Sequence, residues 1–162
     1  MPIINSINPQ ALVHNEDFDL SKVCFDLKTN FVNKPDKALW TSDWNDKIDE
    51  IAWIQWADWE DFRIKDVLYK IIPKRNIKVY EVTTRSDYYA KDIPKTIQHS
   101  KIDYSKLQDL GFDGFRVTRA GAWLGHNFTN GVLQLNCFDC ESTVWFNTDW
   151  IKSIERIKSL NS

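Results

Sequence analysis

The sequence predicts a single α+β domain spanning residues 1–162, with short strands spread among helices. Apolar and polar residues alternate strictly from Ile77 to Val82, which is the period of a strand. Apolar residues recur at spacings of three and four from Ile51 to Phe62, which is the period of a helix. Because strands and helices do not alternate regularly along the chain, an α+β arrangement is favoured over a doubly wound parallel sheet.

The length and the net charge of the chain limit the classes of protein to which it can belong. A chain of 162 residues is long enough for one sizeable core. The net charge of −2 gives no overall preference for nucleic acid or for an anionic membrane. No apolar run approaches the roughly 20 residues of a membrane helix, and the first residues do not resemble a signal peptide. We therefore expect a cytoplasmic protein that has no membrane partner.

The three cysteines, Cys24, Cys137 and Cys140, are an odd number in a chain without an export signal, which argues against a disulfide framework. Cys137 and Cys140 have the spacing of half a zinc site. A structural zinc site needs four ligands, and no second pair with this spacing exists. We expect buried reduced thiols and no bound metal.

The first half of the chain predicts two short strands and one helix. The first strand is Ala11–His14, and the second is Ala38–Ser42, after the turn signal Asn33-Lys34-Pro35-Asp36. The apolar stripe that ends at Phe62 predicts a helix that buries its tryptophans in the core. Residues 65–72 are predicted to continue this helix or to form an insertion.

The second half of the chain predicts four further strands, one helix and one loop. A short helix begins at Asp103 and stops at Gly111, a residue typical of helix ends. Residues 119–131 hold three of the five glycines and predict a mobile loop that contains His126. The predicted strands are Ile77–Val82, the stretch that follows Phe112 as far as Thr118, residues 132–136, and Thr143–Phe146. A short helix or a last strand follows Asp149.

A carboxylate stands directly before the strand Thr143–Phe146. Judged alone, Glu141 is predicted to be a solvated surface residue. A rigid strand end is, however, also a good place for a catalytic group. The common nucleotide, metal and nucleophile motifs are absent: G-x-x-x-x-G-K-[ST], G-x-G-x-x-G, H-E-x-x-H and G-x-S-x-G. Any assignment of Glu141 therefore depends on residues elsewhere in the chain.

Four features occur in an order that resembles the ADP-ribosyltransferase superfamily: strand-end His14, Trp40-Thr41-Ser42, a helix containing Trp53, and Glu141-Ser142-Thr143-Val144-Trp145-Phe146. The chain is most similar to the branch that contains diphtheria toxin and the poly(ADP-ribose) polymerases, whose signature is histidine, tyrosine and glutamate on three strands. The resemblance extends over residues 11–155, with Trp40 in place of the tyrosine. It implies a split pair of small β-sheets around an NAD cleft, with peripheral helices.

The resemblance also implies roles for individual residues. His14 would bind a ribose hydroxyl of NAD, and Trp40 would pack on the nicotinamide. Thr41 and Ser42 would order the strand end or contact the nicotinamide ribose. Trp53 would form the other side of the nicotinamide site.

Three further expectations concern the reaction itself. Glu141 would be the catalytic glutamate, because a fixed carboxylate stabilises the oxocarbenium-like transition state of nicotinamide release. Asp139 and His126, with the loops between residues 119 and 136, would recognise the acceptor. NAD is a co-substrate here, and the chemistry needs no metal.

We therefore expect an NAD-dependent mono-ADP-ribosyltransferase, acting as a toxin, an effector or a modifier of host machinery. The balanced net charge favours a protein acceptor over a nucleic acid, although the basic group Lys70, Lys74, Arg75 and Lys78 keeps a nucleic acid open. Two alternatives share the same cleft. One is an NAD glycohydrolase, and the other is a catalytically inactive binding or inhibitor protein, which the loss of tyrosine at Trp40 favours.

Overall fold

The fold is mixed α+β, with more strand than helix. The computed structural model describes residues 2–62, 66–96, 101–126, 135 and 138–160. The strands in these ranges are β1 Ile3–Ile4, β2 Gln10–His14, β3 Asp26–Thr29, β4 Pro35–Lys37, β5 Leu39–Asp43, β6 Val67–Pro73, β7 Val79–Val82, β8 Gly114–Val117, β9 Ser142–Trp145 and β10 Ile151–Ser159. The α-helices are α1 Ala52–Trp59, α2 Arg85–Tyr88, α3 Tyr104–Asp109 and α4 Arg119–His126.

Eight of these strands form one sheet in the order β1-β7-β8-β9-β5-β2-β6-β10, and β3 pairs with β4 as a separate hairpin. β7 and β8 are parallel, whereas the other neighbours in the sheet are antiparallel. Strand β5 changes its partner along its length, because residues 39–41 pair with β9 and residues 42–43 pair with β2. The structure therefore has one eight-stranded sheet that is continuous through β5, where the resemblance implied a split pair of small sheets.

Successive side chains of a strand point to opposite faces of a sheet, and this alternation sorts the residues of β5. Trp40 lies on the face that carries Val144, its partner on β9. Leu39 and Thr41 lie on the other face. We call the first the helical face, because α1, α2, α3 and α4 bury residues against it, and the second the opposite face.

Each face has its own apolar core. On the helical face, Tyr104 and Leu107 of α3 and Ala122 of α4 pack with Phe115 of β8. On the opposite face, Leu12, Leu39, Tyr69 and Ile71 pack with Trp145, whose ring stacks on that of Trp150 at a centroid distance of 3.6 Å. The hydrophobic free energy of folding is roughly proportional to the apolar area removed from water. These two cores therefore supply most of the driving force for folding.

Several sequence predictions are confirmed. The predicted strands Ala11–His14, Ala38–Ser42 and Thr143–Phe146 overlap β2, β5 and β9, and Ile77–Val82 contains β7. The predicted helix of residues 103–110 is α3, and the Asp103 side chain caps it by accepting a hydrogen bond from the Lys106 N–H. Gly111 follows with φ of 80°, a left-handed conformation that favours glycine.

The prediction that α1 buries its tryptophans is wrong. The helix forms, but its buried residues are Ile54 and Ala57, preceded by buried Ile51. Trp59 is 75% exposed, and Phe62 beyond the helix is 57% exposed. The sequence carries two stripes at a spacing of three, one aliphatic and one aromatic, and the smaller aliphatic side chains pack with Ala11 and Leu68 of the sheet.

Two other predictions are wrong for different reasons. Residues 67–73 form strand β6, which lies between β2 and β10. Because such a strand is covered on both faces, its sequence lacks a clear period of two. Residues 119–126 form helix α4 where a loop was predicted, and the predicted strand of residues 132–136 lies outside the described residues except for Leu135. Of the two alternatives after Asp149, the strand is confirmed as β10.

Gly121 holds α4 close to the sheet. A Cβ added there would meet the carbonyl oxygen of Val82 and would lie 3.0 Å from Cγ1 of Val117. We expect Gly121→Ala to lower the free energy of unfolding by about 2 kcal/mol, because overpacking a tight contact is destabilising. Thermal or urea unfolding would measure this change. Trp123→Ala on the exposed side of α4 is the control, and a stabilisation by Gly121→Ala, as in an isolated helix, would contradict the close approach.

Candidate functional site

A cleft of about 350 Å³ opens on the helical face, where β5 passes from β9 to β2. Strands β2, β5 and β9 contribute to it, together with the start of α1 and the segment before β9. Its lining includes Trp40, Ser42, Trp53, Phe138 and Asp139. The volume lies within the range of small-molecule sites, and the mixture of aromatic walls and a few polar groups is typical of them.

The cleft has aromatic walls on two sides. Trp40 on β5 packs against Phe138, with their ring centroids 5.6 Å apart at an angle of 56°. The Lys34 ammonium lies 5.4 Å from the centroid of the Trp40 ring. Trp53 on α1 also lines the cleft, and its ring stacks on that of Trp56 at a centroid distance of 4.9 Å. A planar ring that enters the cleft therefore meets an indole contributed by the sheet and an indole contributed by the helix.

The hydroxyls of Thr41 and Ser42 hold neighbouring strands together. The Thr41 hydroxyl donates to Gln10 Oε1 at 2.7 Å and accepts from the Trp145 indole N–H at 2.8 Å. The Ser42 hydroxyl donates to the Glu141 carbonyl oxygen at 3.0 Å. Both residues line the cleft, although the Thr41 side chain itself lies on the opposite face. Their hydroxyls order the strand end, which is one of the two roles expected of them.

The Glu141 carboxylate lies on the opposite face of the sheet. Its Oε1 accepts a hydrogen bond from Arg116 Nη1 at 2.7 Å, and its Oε2 accepts from the Asp43 backbone N–H at 2.9 Å. The sequence neighbours of Glu141, Cys140 and Ser142, both line the cleft. Glu141 itself is not among the described residues of that lining. Two residues of the expected NAD site, Glu141 and Trp40, therefore present their side chains to different faces of the sheet.

Arg116 forms ion pairs with three carboxylates on the opposite face of the sheet. Its guanidinium contacts both oxygens of Asp43, at 2.7 and 2.9 Å, as well as Glu81 at 3.0 Å and Glu141. We call these four residues the Arg116 cluster. Burial lowers the pKa of Arg116, but the charges of Glu141 and Asp43 outweigh burial and raise it. Sequence reasoning missed Arg116, although a charged residue between Phe115 and Val117 was the available signal.

One guanidinium cannot neutralise three carboxylates, and Glu141 is the most deeply buried of the acids. Burial and then the neighbouring charge of Asp43 raise the pKa of Glu141 to about 7, even though Arg116 acts in the other direction. The protonation of Glu141 therefore changes near neutral pH. A carboxyl group with such a pKa is a candidate functional group on physical grounds.

His14 lines a second cavity, of about 480 Å³, which also reaches Trp40. Its Nδ1 lies 2.9 Å from the Asn15 Oδ1, and its ring centroid lies 4.8 Å from that of Phe18. Trp53 does not belong to the described lining of this second cavity. The structure thus brings Trp40 close to both His14 and Trp53, but it places these two on separate cavities.

The remaining predicted residues differ in what the structure shows of them. Asp139 is exposed and lines the cleft. His126 is the last residue of α4, and its side chain lies outside the described part of the structure. Cys140 lines the cleft, and burial followed by the charges of Glu141 and Asp139 raises its pKa to about 12, so it remains a thiol. Cys137 lies outside the described residues, whereas Cys24 is exposed.

The basic residues considered for nucleic-acid binding do not form a free patch. The Lys70 ammonium lies 4.7 Å from the Trp44 ring, and the Lys78 ammonium donates to the Leu110 carbonyl at 2.8 Å. Lys74 and Arg75 are exposed on the turn after β6. Among the described residues, no three or more His, Cys, Asp or Glu side chains are grouped so as to hold a metal ion.

The structure brings most of the predicted site residues together in one place. Five of the eight line the cleft: Trp40, Thr41, Ser42, Trp53 and Asp139. Within the described ranges, none of the helices has the length and apolar character needed to cross a membrane. Comparisons of the chain with known protein families, curated proteins and solved structures gave no match.

Proposed function

We propose that the protein transfers ADP-ribose from NAD to a macromolecular acceptor, with a protein favoured over a nucleic acid. The observation that carries the proposal is the shared cleft, because five of the eight residues expected at an NAD site line it. Those residues come from three separate segments of the sequence, namely residues 40–42, Trp53 and Asp139. The proposal also draws on the resemblance of the residue order to ADP-ribosyltransferases.

The chemistry of the cleft suits the nicotinamide end of NAD. The oxidised nicotinamide ring is planar and positively charged, and indole faces attract such cations. Trp40 and Trp53 supply two of these faces, and the Asp139 carboxylate adds a negative charge at the same cleft. Binding between aromatic walls orients the bond that breaks, and orientation lowers the barrier of the reaction.

The transfer step also needs a carboxylate that faces the positive charge developing on the ribose. We propose Glu141 for this role, which requires its carboxylate to leave Arg116 and the Asp43 N–H on the opposite face and to turn towards the cleft. Asp139 is the neighbouring carboxylate that already lines the cleft. An experiment that compares these two acids therefore tests the assignment directly.

The experiment incubates wild type, Glu141→Gln and Asp139→Asn with labelled NAD, alone and with a cell extract. We expect wild type to release nicotinamide and to label proteins, Glu141→Gln to lose both activities, and Asp139→Asn to retain release. Glu155→Gln, at an exposed position on β10, is the control, and thermal unfolding checks that each variant is folded. Release without labelling would indicate an NAD glycohydrolase, and equal release by wild type and Glu141→Gln would remove Glu141 from catalysis.

The walls of the cleft can be tested separately from the acids. We expect Trp53→Ala to raise KM for NAD about tenfold with a smaller change in kcat, because it removes one stacking face from the bound nicotinamide. Steady-state measurement of nicotinamide release gives both constants. Trp59→Ala is the matched control, since Trp59 lies on the same helix but is 75% exposed. Equal KM values for wild type and Trp53→Ala would contradict NAD binding in this cleft.

The second candidate is a catalytically inactive binding protein, and the position of Glu141 favours it. Both carboxylate oxygens of Glu141 already accept hydrogen bonds. A protein of this kind would bind NAD or a related ring without consuming it. Quenching of tryptophan fluorescence by NAD, combined with no nicotinamide release by the wild type, would support this candidate over transfer.

A further inference from the structure

Helix α1 presents an aromatic surface to solvent beside the cleft. Trp53 and Trp56 stack on each other, with their ring centroids 4.9 Å apart at 25°. The Phe62 ring lies 6.4 Å from each of them, and Trp59, at the end of the helix, is 75% exposed. We call Trp53, Trp56, Trp59 and Phe62, with the acidic residues described next, the α1 face.

The packing of α1 against the sheet does not depend on these aromatic rings. The helix is anchored by Ile54 and Ala57, which are buried. The aromatic side chains therefore lie on sides of the helix that the sheet leaves open. Monomeric proteins rarely expose such a group of large apolar side chains, and when they do, it commonly marks an interaction surface.

The segment that carries this surface is strongly acidic. Residues 46–62 contain six carboxylates and one basic residue, Lys47, so their formal charge is −5, whereas that of the whole chain is −2. All six carboxylates are exposed: Asp46, Asp49, Glu50, Asp58, Glu60 and Asp61. Only Glu50 among them forms an ion pair in the described part of the chain, with Lys47 at 3.2 Å. Arg63 and Lys65 follow in sequence and lie outside the described residues.

This combination of charge and aromatic surface selects the chemistry of a partner. Phosphates of a nucleic acid and an anionic membrane would be repelled by the carboxylates, and so would the same face of a second copy. A guanidinium group, by contrast, stacks on an indole and pairs with a carboxylate at the same time. Alternating rings and acids offer both contacts within a short distance along the chain.

We propose that the α1 face binds an arginine-rich segment of a partner protein. The arginine side chains stack on Trp56, Trp59 and Phe62, and their charges pair with Asp58, Glu60 and Asp61. Lys70 shows the same chemistry within the chain, because its ammonium lies 4.7 Å from the Trp44 ring. The binding goes beyond the proposed function, since it requires neither NAD nor catalysis.

Trp53 belongs both to the α1 face and to the wall of the cleft. A partner bound on α1 therefore lies next to the cleft. Trp59 is not among the described residues of the cleft lining, so it can be changed without removing a wall of the cleft. The two sites are thus separable by mutation.

The test measures binding of a labelled twelve-residue peptide of alternating arginine and serine, by fluorescence anisotropy without NAD. We expect wild type to bind it and Trp59→Ser to bind it about tenfold more weakly, with the fold retained because Trp59 is exposed. The triple variant Asp58→Asn, Glu60→Gln and Asp61→Asn should also weaken binding and reduce its salt dependence. Asparagine suits position 61, where φ is 52°.

Phe31→Ser is the matched control, because Phe31 is an aromatic residue that is 87% exposed on the β3–β4 hairpin. It should bind the peptide as wild type does. Three outcomes would overturn the proposal: equal binding of a peptide with glutamate in place of arginine, unchanged binding by Trp59→Ser and the triple variant, or self-association of the wild type that Trp59→Ser abolishes. Binding of the wild type to phosphatidylglycerol vesicles through Trp59 would also overturn it. Because NAD is absent, none of these outcomes depends on the proposed transfer activity.

Discussion

Replacing Arg116 by leucine is expected to lower the free energy of unfolding by about 3–5 kcal/mol at neutral pH. The side chain of Arg116 is 10% exposed, and it is the shared partner of Asp43, Glu81 and Glu141. Without the guanidinium, the buried Glu141 carboxylate loses a hydrogen bond of 2.7 Å and stands close to Asp43 without a neutralising charge. Removal of one partner from a buried ion pair costs more than the pair itself contributes.

Urea unfolding at pH 7 would measure this loss. Arg156→Leu is the matched control, since Arg156 pairs with Glu16 at 3.0 Å while both side chains are largely exposed. An exposed ion pair contributes about 0–1 kcal/mol, so the control should change stability little. Similar losses in Arg116→Leu and Arg156→Leu would show that the Arg116 cluster has no special weight in the fold.

The stability of the wild type is expected to fall by about 3 kcal/mol between pH 4.5 and pH 7 through the titration of Glu141. Its pKa is raised in the folded protein from 4.5 to about 7, by burial and then by the charge of Asp43. The folded state therefore binds a proton more tightly than the unfolded state. This contribution is fully present below pH 4.5, and it is lost as the pH rises to about 7.

Urea unfolding at intervals across this pH range tests the prediction. Glu141→Gln should be nearly independent of pH in the same interval, because the amide cannot titrate. Glu155→Gln, at an exposed position on β10, should keep the pH dependence of the wild type. A wild-type stability that rises from pH 4.5 to pH 7 would show that the attraction of Arg116 dominates over burial.

The strands with a clear period of two or a β-branched run were predictable from the sequence. β7 and β9 were found because local residue pattern and tertiary position agree in them. β6 was missed because a strand covered on both faces gives no such pattern. α4 was missed because the three glycines of residues 119–131 suggested a loop, whereas Gly121 allows a close contact with Val82. Close packing of this kind leaves no mark on local sequence.

The candidate site was predicted in part for a related reason. Trp40 and Trp53 were expected to bind the nicotinamide ring, and both line the cleft. The resemblance treated Trp40 and Glu141 as members of one site, but the direction of a side chain depends on its register in the sheet. Arg116, which holds the Glu141 carboxylate on the opposite face, lies 25 residues away in sequence and belongs to no motif.

The change of partner along β5 makes this strand a joint between two halves of the molecule. Strands β2 and β5 pair with each other through Gln10–Asp43 and Ala11–Ser42. Asp43 links β2 to the Arg116 cluster at this joint, because its carboxylate accepts hydrogen bonds from Gln10 Nε2 at 2.8 Å and from Arg116. The cleft straddles this joint, since β2 and β9 both line it. A change of angle at this joint would alter the width of the cleft, so we expect the charge state of the Arg116 cluster to affect how a ligand fits there.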